Sequence, residues 1–315
     1  MSSKGSRYGL RRSGGQHGDV FTSPEVVSYM LDLVGYTADK DLSKTSILEP
    51  SCGEGEFVIE IVRRLGESSR KFGFDCKTAF LSNVFAYDID EAKITSCRGR
   101  IEELGFSLPL DGNVRQTDFL TADIRCFDIV VGNPPYIRYE QIPADLLSSY
   151  KQQFHTFHYR ADLYILFFEK TLRHLNPGGR HCFICSNRWL KNEYGKKLRG
   201  WIAQSFCLDS IISLEKASDA FQEDVLAYPA ITLISNTRPG STFTFSELTS
   251  ITELGNDARR LLPAPISADW SSVFNRVQSD DTLVPLQNVS EAFRPLIFEW
   301  RLRNPGKRNP RLNKV

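Results

Sequence analysis

Short apolar runs alternate with amphipathic stretches along most of this chain. Val26, Val27, Met30, Leu31 and Val34 recur at helical spacing and form one apolar face. Ser23 supplies an N-cap, Pro24 fits the first helical position, and Glu25 faces the positive end of the helix dipole. Gly35 stops the helix. A strand over 45–48 leads into a turn from Glu49 to Phe57 and then a helix through Arg64. A second strand over 83–90 ends in two acids, Asp88 and Asp90, with a helix over 91–104 behind it. Phe127-Asp128-Ile129-Val130-Val131 reads as a buried parallel strand closed by Gly132. The alternation continues with a helix over 161–175, a turn at 176–179, a strand over 180–185 and a helix over 193–205. Apolar stretches at 209–214 and 229–235 follow. Strands alternating with helices predict a doubly wound α/β sheet.

The region after 235 is thinner. It offers a strand at 243–245, a proline-broken stretch at 261–265 and one short helix near 270–277. The chain therefore divides into a basic arm (1–17), an α/β domain (18–240) and a small C-terminal appendage (241–315). The arm carries Lys4, Arg7, Arg11 and Arg12 and lacks the apolar core of a secretory signal. From Arg301 onward six basic residues and no acid form a tail suited to phosphate. The net charge of +1 excludes a polycation, and no apolar run approaches the ~20 residues of a membrane span. Seven scattered cysteines suit a reducing, cytoplasmic setting. Cys182 and Cys185 lie in a strand-like run and read as core. His155 and His158 sit in a polar stretch with no matched ligands, so no metal site is expected.

The chemistry gathers at strand ends. Asn133-Pro134-Pro135-Tyr136 follows the strand at 127–131, and its two prolines fix the backbone and remove two N–H donors. The Asn133 amide oxygen and the Pro134 carbonyl can accept both hydrogens of one NH2 group, while Tyr136 can stack on the ring that carries it. A rigid turn with no ligand is the competing reading. The Gly53-x-Gly55 turn sits between the first strand and its helix, where nucleotides bind. Flanking Glu54 and Glu56 would repel pyrophosphate, whereas Glu49 suits a positive amino-acid end. Asp88 stands where an acid holds ribose hydroxyls, and Asp118 can accept from an adenine amino group beside Phe119.

Five stretches occur in one order: F-T-S-P-E-V-V, L-E-P-S-C-G-E-G-E-F, Y-D-I-D, T-D-F-L and G-N-P-P-Y. This set resembles the gamma-type DNA adenine-N6 methyltransferases of restriction–modification systems, of the TaqI and Eco57I kind, and the likeness spans about residues 17 to 235. It implies a Rossmann-like S-adenosylmethionine-dependent methyltransferase sheet, mostly parallel, with 209–214 and 229–235 as an antiparallel addition. It places Thr22, Glu49, Ser51, Gly53, Gly55, Asp88, Ile89, Asp118 and Phe119 around S-adenosylmethionine. It places Asn133, Pro134, Pro135 and Tyr136 on the target amine and base. Phe221 matches the family's second aromatic; a core aromatic before a strand is the other reading of that residue.

The implied activity is methyl transfer to adenine N6 in double-stranded DNA with one flipped adenine, in a bacterial cytoplasm. A cognate restriction endonuclease or a recognition subunit would complete the system. Two features depart from the family pattern. Thr22-Ser23-Pro24 replaces Thr-Pro, and only some eighty residues follow 235 where a long recognition domain is usual. DNA binding by this chain alone should therefore be salt-sensitive and poorly discriminating. Rival readings are a cytosine-N4 DNA methyltransferase, a protein-glutamine or RNA N-methyltransferase, and a non-catalytic DNA-binding subunit.

Overall fold

The computed structural model describes residues 22–106, 109–217, 228–256 and 259–270. Nine strands among them form one sheet: β1 (Ile47–Glu49), β2 (Val84–Asp88), β3 (Val114–Gln116), β4 (Phe127–Gly132), β5 (Leu175–Ser186), β6 (Cys207–Ser213), β7 (Pro229–Ser235), β8 (Thr242–Glu247) and β9 (Arg260–Pro263). Their spatial order is β3-β2-β1-β4-β5-β7-β6-β8-β9. The first five in that order run parallel, and β7 lies antiparallel between β5 and β6. The chain winds outward from β1 to β3, then returns to the other side of β1 as β4. That reversal opens a crevice at the C-terminal ends of β1 and β4, where ligands of such sheets bind.

One carboxylate keeps those strands level. Asp128 Oδ2 accepts from the backbone N–H and the hydroxyl of Ser46 at 2.8 and 2.7 Å, and Oδ1 accepts from Asn176 Nδ2 at 2.7 Å. Burial pushes the Asp128 carboxyl up, but the Asn176 and Ser46 hydrogen bonds outweigh it and the net shift is down.

Helices cover both faces: α1 (Pro24–Leu33), α2 (Glu56–Phe72), α3 (Cys76–Asn83), α4 (Glu91–Glu103), α5 (Ala144–Gln153), α6 (Tyr164–Arg173) and α7 (Lys196–Ser205). One core packs Val26, Met30, Phe57 and Leu65 against one side of the sheet, and the other packs Phe127, Phe168, Phe183 and Trp189 against the opposite side. No helix among the described residues is long and apolar enough to cross a membrane.

Several elements differ from the expected bounds for identifiable reasons. The α2 helix runs on to Phe72 because Arg64 is no terminus. It is buried on the inner face, where it binds Asp32, Glu60, Ser28 and the Tyr36 carbonyl at 2.6–3.0 Å. The α3 helix, unforeseen, starts at an Asp75 cap that accepts from Thr78 N at 2.7 Å. The turn at 176–179 is absorbed into β5 as an irregularity, with register passing from Phe127↔Leu175 to Ile129↔Arg180. At Gly179 a Cβ would meet the Asn176 and Asp128 carbonyl oxygens at 2.8 and 2.9 Å, so the irregularity needs glycine.

The sheet also continues past residue 240. β8 pairs in parallel with β6, and the proline-broken stretch forms β9, an edge strand with Pro263 at its end. Trp270 is buried on Trp189, with ring centroids 5.6 Å apart, and the Ala268 carbonyl accepts from Arg199 Nε at 2.9 Å. The helix expected beyond Trp270, the basic arm and the basic tail lie outside the described residues.

Two neighbouring charges on α6 are buried and anchor loops. Glu169 accepts from the His155 and Thr156 backbone N–H groups at 2.9 and 2.7 Å and pairs with Arg173. Lys170 donates to the carbonyls of Phe119 and Leu120 at 2.6 and 3.1 Å and to that of Ala122.

His181, inside β5, is fully buried between Phe168 and Phe183, with Nε2 at 3.0 Å from Thr171 Oγ1. Burial drops its pKa to about 3. The unfolded chain, titrating near 6.5, then binds one more proton than the folded one between those values, so stability falls as pH drops through that window. His181→Leu should lose less stability than the parent over pH 6.5 to 3.5, by up to about 1.4 kcal/mol per pH unit. Urea unfolding at stepped pH measures the difference.

Candidate active site

The site begins where β1 ends. Glu49 is its last residue and is buried, and the chain then turns through Ser51 to Gly55. Cys52 N donates to the Tyr87 carbonyl at 2.8 Å, which ties the turn to β2. Gly53 and Gly55 take φ of +53° and +97°. At Gly55 a Cβ would also stand 2.7 Å from Cys97 Sγ, so α4 packs against the turn only because the side chain is missing.

Asp88, at the end of β2, braces the same turn. Its Oδ2 accepts from Gly53 N at 2.9 Å, and its Oδ1 accepts from Asp90 N at 2.9 Å. Burial raises its pKa, and the two amide bonds and Lys93 only partly counter that. Asp90 caps α4 by accepting from Ala92 and Lys93 N–H groups at 2.8 and 3.3 Å. Glu49 Oε2 has no hydrogen-bond partner among the described residues. Burial drives its carboxyl well above the usual value, and neighbouring Cys97, Glu56 and Asp88 add to the shift.

From the other side of the crevice, Gly132 ends β4 and presents the turn Asn133-Pro134-Pro135-Tyr136. Asn133 Nδ2 donates to Thr22 Oγ1 at 3.2 Å, and the Asn133 backbone carbonyl accepts from Ser51 Oγ at 3.1 Å. Thr22 is buried just ahead of α1, whose Ser23 cap accepts from Val26 N at 3.4 Å. The Tyr136 ring tilts against Tyr164, centroids 6.1 Å apart, and its buried hydroxyl has no partner among the described residues. Burial, then Cys185 and Asp162, push that phenol well up.

A cavity of about 90 Å³ joins the two sides. Thr22, Glu49, Ser51, Gly53 and Asp88 line it from the expected cofactor set, and Asn133, Pro134, Pro135 and Tyr136 from the expected target set. Gly55, Ile89, Asp118 and Phe119 do not line it. Ile89 is half-buried, and its carbonyl accepts from Gln116 Nε2 at 3.2 Å. Asp118 is buried, and its carboxylate accepts from Leu120 N at 3.0 Å, Thr121 Oγ1 at 3.1 Å and the Tyr150 hydroxyl at 2.9 Å. Phe119 is buried, stacked on Phe167 at 5.4 Å and tilted against Tyr87 at 5.5 Å. Phe221 lies outside the described residues.

Two residues that sequence reasoning missed support the 118–122 segment. Tyr150, on α5, holds Asp118, and the Lys170 ammonium lies 5.1 Å from the Phe119 ring centre while it binds the three carbonyls named above. Burial lowers the Lys170 pKa to about 8, with Asp118 and Asp123 opposing. The available signal was a lysine two residues after the apolar run 163–168 and two before Leu172, on a helix apolar enough to be buried, where an ammonium demands acceptors.

Residues 82–221 match the family model described as Eco57I restriction-modification methylase. The chain is 41% identical over 239 residues to the type II methyltransferase M.XhoI of Xanthomonas vasicola, covering 72% of this chain and 44% of that protein. It is 40% identical over 237 residues to the type II methyltransferase M.PaeR7I of Pseudomonas aeruginosa, covering 71% and 41%. The chain thus spans less than half the length of these relatives. Among solved structures, the M protein of the type I restriction enzyme EcoKI superposes with a TM-score of 0.55 at 14% identity, over 72% of this chain and 48% of that one. The fold is that of the class I S-adenosylmethionine-dependent methyltransferases.

Glu49 carries a stability signature. Its folded pKa stands above the ordinary 4.5, so the folded state favours the protonated acid and loses stability as pH rises from that value. Glu49→Gln removes the ionisation. The variant should melt higher than the parent at pH 7 and converge with it below about pH 4. Calorimetric melting at the two pH values checks the expectation.

Proposed function

Because the chain belongs among the Eco57I-type restriction-modification methylases, through residues 82–221 and its type II methyltransferase relatives, we propose that it methylates an exocyclic amine in DNA, N6 of adenine. The observation that carries the reading is a juxtaposition. The turn Asn133-Pro134-Pro135-Tyr136, whose Asn133 amide oxygen and Pro134 carbonyl could accept both hydrogens of one NH2 group, shares a cavity with a buried acid whose Oε2 has no partner among the described residues.

S-adenosylmethionine is the cofactor that fold and family imply, and when bound it supplies a methyl group activated on a sulfonium. The residues fit such a group. Glu49 would pair with its ammonium, which gives that buried carboxylate the cation it needs to ionise. Asp88 would hold the ribose hydroxyls from the rigid turn it braces. Asp118 would accept from the adenine amino group in exchange for the Tyr150 hydroxyl that it now binds.

The target base must leave the duplex to reach a strand-end cavity, at a cost of a few kcal/mol. Stacking on Tyr136 would offset roughly 1–3 kcal/mol of this, and Phe221 is proposed as the second aromatic. Asn133 Oδ1 and the Pro134 carbonyl then fix both amine hydrogens, which aims the nitrogen lone pair. As the nitrogen becomes tetrahedral and positive, the same two acceptors stabilise it, so catalysis is mainly positioning and electrostatics. The surplus proton leaves the product amine to water. Cytosine N4 presents the same amine; the ordered motifs from Thr22 to Tyr136 favour adenine.

DNA from a host expressing the chain, read by long-read sequencing, should carry N6-methyladenine in one sequence context. Asn133→Ala should abolish most of that signal while calorimetry shows S-adenosylmethionine binding largely intact. Methylation confined to cytosine N4, or an Asn133→Ala variant as active as the parent, would overturn the reading.

A further inference from the structure

An asparagine acceptor has a weakness that a carbonyl lacks. Its amide can turn over and offer NH2 where oxygen is required. The target amine brings two donors, so an inverted Asn133 would set donor against donor. The Pro134 carbonyl is fixed by the backbone, but the Asn133 side chain has to be held.

The structure contains a holding group among the described residues. Asn133 Nδ2 donates to Thr22 Oγ1 at 3.2 Å, across 111 positions of sequence. Thr22 is buried, 3% exposed, and enters the site from the residue just before the capped start of α1. The backbone of Asn133 is held separately, through its carbonyl and Ser51 Oγ at 3.1 Å. A hydroxyl can act as donor or acceptor, so by itself it tolerates either amide orientation. The target amine breaks the tie. With Oδ1 toward the amine, Nδ2 needs an acceptor inside the protein, and Thr22 is that acceptor. A hydrocarbon at position 22 would leave the productive orientation with a buried donor short of this bond, at the moment the reaction needs it.

We infer that Thr22 is a positioning residue for the methyl-accepting amine, latching the Asn133 amide with its oxygen toward the target. This rests on the proposed amine methylation and assigns Thr22 a role in the chemical step, where its resemblance-based role is cofactor contact. It predicts a loss in rate at saturation and not in cofactor affinity.

The test uses the full chain, unmethylated genomic DNA, and S-adenosylmethionine with a labelled methyl group, in single-turnover transfer at saturating concentrations. Thr22→Val, nearly isosteric, should slow transfer by about ten- to a hundredfold, the effect of losing one buried hydrogen bond in the transition state. Thr22→Ser keeps the hydroxyl and should stay within about threefold of the parent rate. Calorimetry with S-adenosylhomocysteine should give Thr22→Val a Kd within about twofold of the parent. Thr22→Val with Asn133→Ala should be no slower than Asn133→Ala alone, because the latch has nothing left to hold. An unchanged rate in Thr22→Val overturns the inference. So does a loss confined to cofactor Kd, or losses that multiply in the double variant. If Asn133→Ala is itself as fast as the parent, the amine reading fails first and takes the latch with it.

Discussion

The three hydrogen bonds that Asp128 accepts from Ser46 and Asn176 set the level of the central strands. They join the approach to β1, the start of β4 and the first residues of β5 at their N-terminal ends. Parallel strands anchored at one end reach their other ends at heights fixed by residue count alone. Glu49 and Asn133 line one cavity at that height because three residues of β1 follow Ser46 and four of β4 follow Asp128. Removal of the carboxylate would free the register on which the strand-end chemistry depends.

The acids of the crevice show what that arrangement demands. Glu49 and Asp88 are both raised by burial, and Asp88 adds to the rise at Glu49. Asp88 is compensated by two backbone N–H groups, whereas Glu49 Oε2 has no such partner among the described residues. The first is a brace of the protein's own turn. The second is a buried acid left without that compensation, at a standing cost to the fold.

Much of this was legible in the sequence. The β4 strand, the Asp90 cap and the Ser23 cap follow from apolar runs and local capping chemistry, which act over a few residues, and the antiparallel addition that contains β7 follows from the family resemblance. The crevice residues were legible because their order along the chain matches a known set. Burial of charge was not. Arg64 reads as a surface residue ending a helix until Asp32, Glu60 and Ser28 are seen around it. Lys170 and Tyr150 act on segments far away in sequence, and no periodicity encodes such a partner. Asp118 was read as facing a ligand; the structure shows its carboxylate already engaged by Tyr150 and Thr121. Past residue 240 the strand at 243–245 was legible as β8, whereas β9 was not, because edge pairing tolerates Pro263 where a central strand would not.

The adjacent charges Glu169 and Lys170 point to different loops because successive helix residues diverge by about 100°. Glu169 fastens the stretch at 155–156, and Lys170 fastens 119–122 beneath the expected adenine site. The α6 helix is thereby an indexed shaft between two loops. Substitutions along it can be absorbed one side chain at a time, but insertion or deletion of a single residue upstream would turn both anchors to the wrong loop together. In a lineage that exchanges sequence freely, viable crossovers should therefore fall outside Tyr164–Arg173, and the segments 119–122 and 155–156 should be inherited with the helix as one block.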